Sequence, residues 1–163
     1  MKEYLLVSIM VNWLYLIWAK KKKAEMRKNS PRKLYEKALF YVSRSNAKED
    51  LLKIPVEYRE MFSRTVGKVV ASFEIGSIET VLCDENKEYI TPSYSEDELI
   101  KLTCVSKKEM SQYMPKPINR EQGIYGYIWI IQDFTMLKEY KELSLYSRPG
   151  QSYVYVSEKD FLR

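Results

Sequence analysis

The chain opens on an almost unbroken apolar run, Tyr4 to Ala19 (YLLVSIMVNWLYLIWA), and four lysines follow it immediately. That order is the pattern of a membrane-crossing helix with a cytoplasmic basic flank. The run is only 16 residues long, against the roughly 20 that span the hydrocarbon of a bilayer. Ser8 and Asn12 also interrupt its middle. A secretory leader carries its cations before the apolar stretch and a small-residue cleavage site after it. Here the order is reversed and no such site follows. The run therefore predicts a strand over Tyr4–Ile9 and a buried helix from about Val11 to Ala19, with Ser8 near the helix cap.

Further along, Lys37–Arg44 (KALFYVSR) is rich in aromatic and β-branched residues and predicts a strand. Asn46–Arg64 is polar with spaced apolar positions, a helical pattern broken at Pro55. Gly67–Val81 (GKVVASFEIGSIETV) gives the clearest strand, with a bend expected at Gly76. The acidic stretch 84–100 reads as a loop leading into a short helix capped by Ser95. In Ser106–Tyr113 (SKKEMSQY), Ser106 and Glu109 have capping-box spacing, and Pro115 and Pro117 end that helix. Ile124–Ile131 (IYGYIWII) predicts a strand with Tyr125, Tyr127 and Trp129 on one face, and Ser152–Val156 a closing strand. No repeat or low-complexity linker interrupts this order. One domain over 1–163 is expected, an α+β fold in which strands predominate, suited to a small closed barrel with helical covers.

Composition sharpens the picture at one place. The net charge of +5 conceals nine Lys or Arg between Lys20 and Lys37 against only Glu25 and Glu36, so this segment carries +7 and the remainder −2. A confined basic patch suits an anionic partner such as a phosphate backbone, a nucleotide or an anionic membrane surface. A solvated loop is the plainer alternative. The two cysteines, Cys83 and Cys104, make no disulfide framework and point to a reducing, cytoplasmic compartment. With no histidine and no CxxC pair, no metal site or cofactor is expected, and the usual general base is missing.

Within the basic segment, an extended 24–28 would turn Ala24 and Met26 to the core and place Glu25 and Arg27 together on the opposite face. Lys22 sits just before them. Two cations and a carboxylate could hold a phosphate or a base edge; otherwise they form a surface ion pair that contributes little.

Here the chain resembles a known family. SIMVNWLYLIWAKKKKAEMRKNSPRK is similar to the opening of ASCH domains, of the PUA-like superfamily, whose pattern is roughly SIxPxYxxxIxxGxKxxExRxxxP. Ser8, Ile9, Trp13, Ile17, Lys22, Glu25, Arg27 and Pro31 fall on it in register. ALFYVSRS, GKVVASFEI, LTCVSKKEMSQY and YGYIWIIQDFTMLKEYKELSLY resemble later segments in order. RPGQSYVYV is similar to the closing stretch of a group common in phages and prophages of low-GC bacteria. Val11 stands where the pattern has proline, and Lys20 where it has the glycine that ends the helix. Either Lys20 takes a left-handed conformation, at about 1 kcal/mol, or the loop has another shape. Tyr140, Ile130 and Gly150 are further departures.

The resemblance implies a PUA-like β-barrel with a cleft between barrel and covering helices that binds RNA or a modified nucleotide. Lys22, Glu25 and Arg27 would be its polar core, and Lys20, Lys21 and Lys23 peripheral phosphate contacts. Arg148, Gln151 and Ser152 would form the opposite wall, and Tyr127 lies either in the cleft or in the core. Trp129 is expected in the core. The resemblance also implies two enzymatic alternatives. One is an amidohydrolase acting on N4-acetylcytidine, with Lys22 on the motif lysine but Glu25 where those enzymes have threonine. The other is a ribonuclease using Lys22 and Glu25. A third possibility is a phage-encoded protein that binds a host protein. Membrane binding is not expected.

Overall fold

A computed structural model of the chain describes residues 3–33, 37–143 and 153–157. Along the chain the elements are β1 (Glu3–Ile9), α1 (Val11–Trp18), β2 (Ala24–Arg27), β3 (Ala38–Val42), α2 (Ala47–Leu51) and α3 (Arg59–Ser63). They continue with β4 (Lys68–Cys83), β5 (Tyr89–Ile90), α4 (Glu96–Thr103), α5 (Lys107–Tyr113), β6 (Ile124–Glu142) and β7 (Tyr153–Ser157). The apolar N-terminal run is thus divided between a strand and a helix of eight residues. Among the described residues no helix is long and apolar enough to cross a membrane.

The chain forms two compact units, each assembled from separate stretches of sequence. Of the described residues, the first holds 3–19, 37–74, 132–143 and 153–157; the second holds 20–33 and 75–131. In the first, β1 pairs in parallel with β3 and antiparallel with β7, while β3 pairs antiparallel with the start of β4. Parallel and antiparallel ladders in one sheet, together with helices, make the fold α+β. Ser8 lies inside the β1 ladder opposite Tyr41. It stands two residues before the N-cap of α1, which is Met10, with no side-chain capping bond. Leu6, Leu39, Tyr41 and Val69 form one core cluster, and Phe40 stacks on Phe73 at 4.0 Å. Tyr15 and Trp18 of α1 pack against Phe62 and Tyr58.

In the second unit, β2 pairs antiparallel with β6 and β4 with β5. Ala24, Met26, Val81, Tyr89, Leu99, Met110, Met114 and Ile128 build its core. Both predicted helix starts are present as full capping boxes, Ser95 with Glu98 on α4 and Ser106 with Glu109 on α5. Each box satisfies two otherwise orphaned donors and fixes where its helix begins. Strands β4 and β6 are hydrogen-bonded neighbours, and each contributes to both units.

Lys20, directly after the Ala19 C-cap of α1, has a φ of +62°. It keeps the left-handed turn without the glycine that makes such a turn easy. Lys20→Gly is expected to raise stability by up to about 1 kcal/mol, the left-handed penalty less glycine's extra unfolded-state entropy. A higher urea midpoint at unchanged slope is the readout; an unchanged or lower midpoint contradicts it.

Candidate nucleic-acid interface

The second unit carries the residues singled out in the basic segment. All four positions of β2 are buried. Ala24 and Met26 face the core as predicted, while Glu25 and Arg27 lie opposite Trp129 and Tyr127 of β6 in the antiparallel register. Their shared face is not a solvent face. Lys22, Glu25 and Arg27 are exposed by only 2, 7 and 8%, so the surface-pair alternative does not hold.

Glu25 is the hub. Its Oε1 lies 3.1 Å from the Lys22 ammonium. Its Oε2 accepts from Arg27 Nε at 3.1 Å and lies at the same distance from a terminal guanidinium nitrogen. Burial alone would raise the Glu25 carboxyl, but the Lys22 and Arg27 charges and hydrogen bonds outweigh it and hold it below its ordinary value. The Arg27 guanidinium also lies 5.9 Å from the centre of the Trp129 ring. The indole N–H donates to the Asn29 carbonyl at 3.1 Å, which ties the chain after β2 to β6. Trp129 is core, as expected, at 1% exposure. Tyr127 is half-buried.

Lys22 reaches further than the sequence could show. Its ammonium donates to the Thr103 carbonyl at 2.6 Å, at the C-terminal end of α4. There the last carbonyls lack helical partners and the helix dipole favours a cation. The backbone locks the same joint: Lys23 N–H donates to the Leu102 carbonyl and Ile131 N–H to the Lys23 carbonyl. The Cys104 thiol donates to the Lys21 carbonyl at 3.3 Å. Cys104 itself is left-handed, with φ +58°.

Lys20, Lys21 and Lys23, by contrast, are exposed, as are Lys28, Arg32 and Lys33 in the same unit. The segment alternates an internal anchor with outward cations. One further cation meets an aromatic ring: Lys28 Nζ lies 4.8 Å from the centre of Tyr113. Burial pushes the Tyr113 phenol up, against the opposing charge of Arg27. Neither Tyr113 nor Lys28 was selected from the sequence. Period-two and motif spacing carry no sign that the end of α5 meets the chain after β2. Arg148, Gln151 and Ser152 lie outside the described residues. Among the described residues no cluster of metal-ligating side chains is present, and both cysteines are free.

No family model matches the sequence, and no curated protein matches it. Solved structures do. The ASCH protein of Zymomonas mobilis superposes with a TM-score of 0.62 at 11% identity, over 98% of this chain and 91% of that one. Two variants of it, with serine replaced by alanine and with tyrosine replaced by phenylalanine, give TM-scores of 0.61 and 0.60 at 12% identity. They are matched over 92% and 94% of their length and 98% of this chain. The chain therefore has the α+β fold of these ASCH structures.

Proposed function

We propose that the chain is an RNA-binding module whose contact surface is the basic segment Lys20–Lys33. The observation that supports this most is the division of labour within the segment. Lys22, Glu25 and Arg27 are turned inward and satisfied by one another and by α4. Lys20, Lys21, Lys23 and Lys28 are left at the surface of a backbone pinned from inside. Cations presented on a fixed backbone lose less freedom on binding than cations on a mobile tail, and phosphates are the anions that such a row neutralises best. The ASCH fold is compatible with this reading. In it, Lys22, Glu25 and Arg27 position the surface and do not touch the ligand. Acid–base turnover at Glu25 is disfavoured by the same geometry, because both carboxylate oxygens are already engaged by cations.

The test is binding to labelled single-stranded RNA across a salt series. Each phosphate neutralised on a single strand contributes about −0.7 to the slope of log K against log salt. Lys20, Lys21 and Lys23 changed together to glutamine should therefore flatten the slope by about 2, with folding intact because all three are exposed. Absence of saturable binding, or an unchanged slope in the triple variant, rejects the assignment. Lys22→Glu is a poor probe: it sets a second carboxylate against Glu25 in a buried site, so it reads folding and not contact.

A further inference from the structure

We propose that Tyr113 is a stacking platform for an unpaired nucleobase, set beside the phosphate contacts of the basic segment. The proposal rests on the RNA reading of that segment and names the base-recognising group it lacks. The other aromatic rings near β2 are already committed. Trp129 is enclosed and bonded to Asn29. Tyr125 meets Tyr89 edge-on at 5.6 Å and packs on the core, and Tyr127 is half-buried opposite Arg27. Tyr113 is 41% exposed, the largest exposure of an aromatic side chain in this unit among the described residues.

Its position is fixed from two sides. Tyr113 is the last residue of α5, which is seated by the capping box at Ser106 and by Met110 in the core; Met114, next along the chain, is core as well. On the other side the Lys28 ammonium lies over the ring at 4.8 Å. A rigid, partly open ring beside Lys28, at the exit of β2 where Arg32 and Lys33 are also exposed, is the arrangement by which single-strand binders hold a base and its phosphate together. Stacking of this kind tolerates any base, because every base has a π-face.

The experiment compares two labelled probes of equal length: single-stranded oligoadenylate, and the same strand with tetrahydrofuran spacers in place of the bases. The wild type should bind oligoadenylate more tightly by about tenfold, the lower part of the range for one stacked base. Tyr113→Leu should lose that factor on oligoadenylate and nothing on the spacer strand. Tyr113→Phe and Tyr113→Trp should keep it. Equal weakening of both probes by Tyr113→Leu, no weakening at all, or a phenylalanine variant as weak as the leucine one overturns the proposal. Should Tyr113→Leu not fold, extra indole quenching in Tyr113→Trp by oligoadenylate but not by the spacer strand reads the same stack, and its absence overturns it. A wild type that binds neither probe overturns the RNA reading itself, and the platform with it. A flattened salt slope in the lysine variant beside an inert Tyr113→Leu removes the platform alone.

Discussion

Glu25→Gln is expected to lower the unfolding free energy by about 3–5 kcal/mol, the cost typical of removing one member of a buried ion pair. The carboxylate faces Lys22 through one oxygen and Arg27 through the other, with all three groups nearly enclosed. Glutamine keeps the volume and loses the charge. Its oxygen can accept from one cation while its amide hydrogens face the second, leaving two buried positive charges without a counter-charge. Urea denaturation should show a lower midpoint at unchanged slope; a loss under about 1 kcal/mol would place the network in the class of solvated surface pairs. The same carboxylate sets an acid limit. Its value in the folded protein is depressed, so its contribution is complete above the unfolded-state value near ~4.3. The contribution disappears as pH falls through the lower folded value. Titrated downward through the carboxylate range, the wild type should lose stability more steeply than Glu25→Gln, and the two curves should converge in acid. Parallel curves would contradict the assignment.

Gly126→Val is expected to cost about 2–3 kcal/mol, at the upper part of the range for overpacking a core. Gly126 sits in β6, where a Cβ would lie 2.7 Å from Met114 Sδ and 3.0 Å from the Arg27 carbonyl oxygen. The sulfur belongs to a side chain only 1% exposed, so it has little room to swing away, and the carbonyl is part of the β2 backbone. Glycine is needed here for close approach, not for an unusual φ. Gly126→Ala should already be measurably unstable. Combined with Met114→Ala, it should cost less than the two single losses added together, because the added methyl enters the space the sulfur leaves. Strict additivity in denaturation midpoints would show that the contact with Met114 is not the cause.

What the sequence disclosed follows the range of the interactions concerned. The capping boxes at Ser95 and Ser106 are complete within four residues, so both helix starts were legible. The alternation of Ala24, Glu25, Met26 and Arg27 was legible for the same reason, and it placed the charged pair on one face correctly. Burial of that face was not legible, since a charged alternation looks alike whether water or Trp129 lies opposite. The acceptor of the Lys22 ammonium is a main-chain carbonyl, and any residue at 103 would supply one, so no side-chain pattern announces it. Strand β6 was expected over Ile124–Ile131, where the apolar alternation is strongest. Asp133 takes a left-handed φ of +50°, yet the strand runs on to Glu142. Ser8 falls in β1 and near the start of α1, as the sequence indicated, but its partner Tyr41 lies 33 positions away in the chain and no local pattern announced it.

The bond from Lys22 to Thr103 spans 81 residues, which has a consequence for the order of events during synthesis. At roughly 5–20 residues per second, the ribosome makes the basic segment about 4–16 s before the carbonyl that anchors it. β6, the partner strand of β2, emerges later still. Throughout that interval Lys22 and Arg27 are as exposed as their neighbours, and the nascent chain shows its full run of cations. Completion of the C-terminal half withdraws two of them into the interior and fixes the rest in place. The growing polypeptide thus displays two more cations and one more carboxylate in this segment than the finished protein, and it reaches its final surface charge once the paired stretch of β6 has been made.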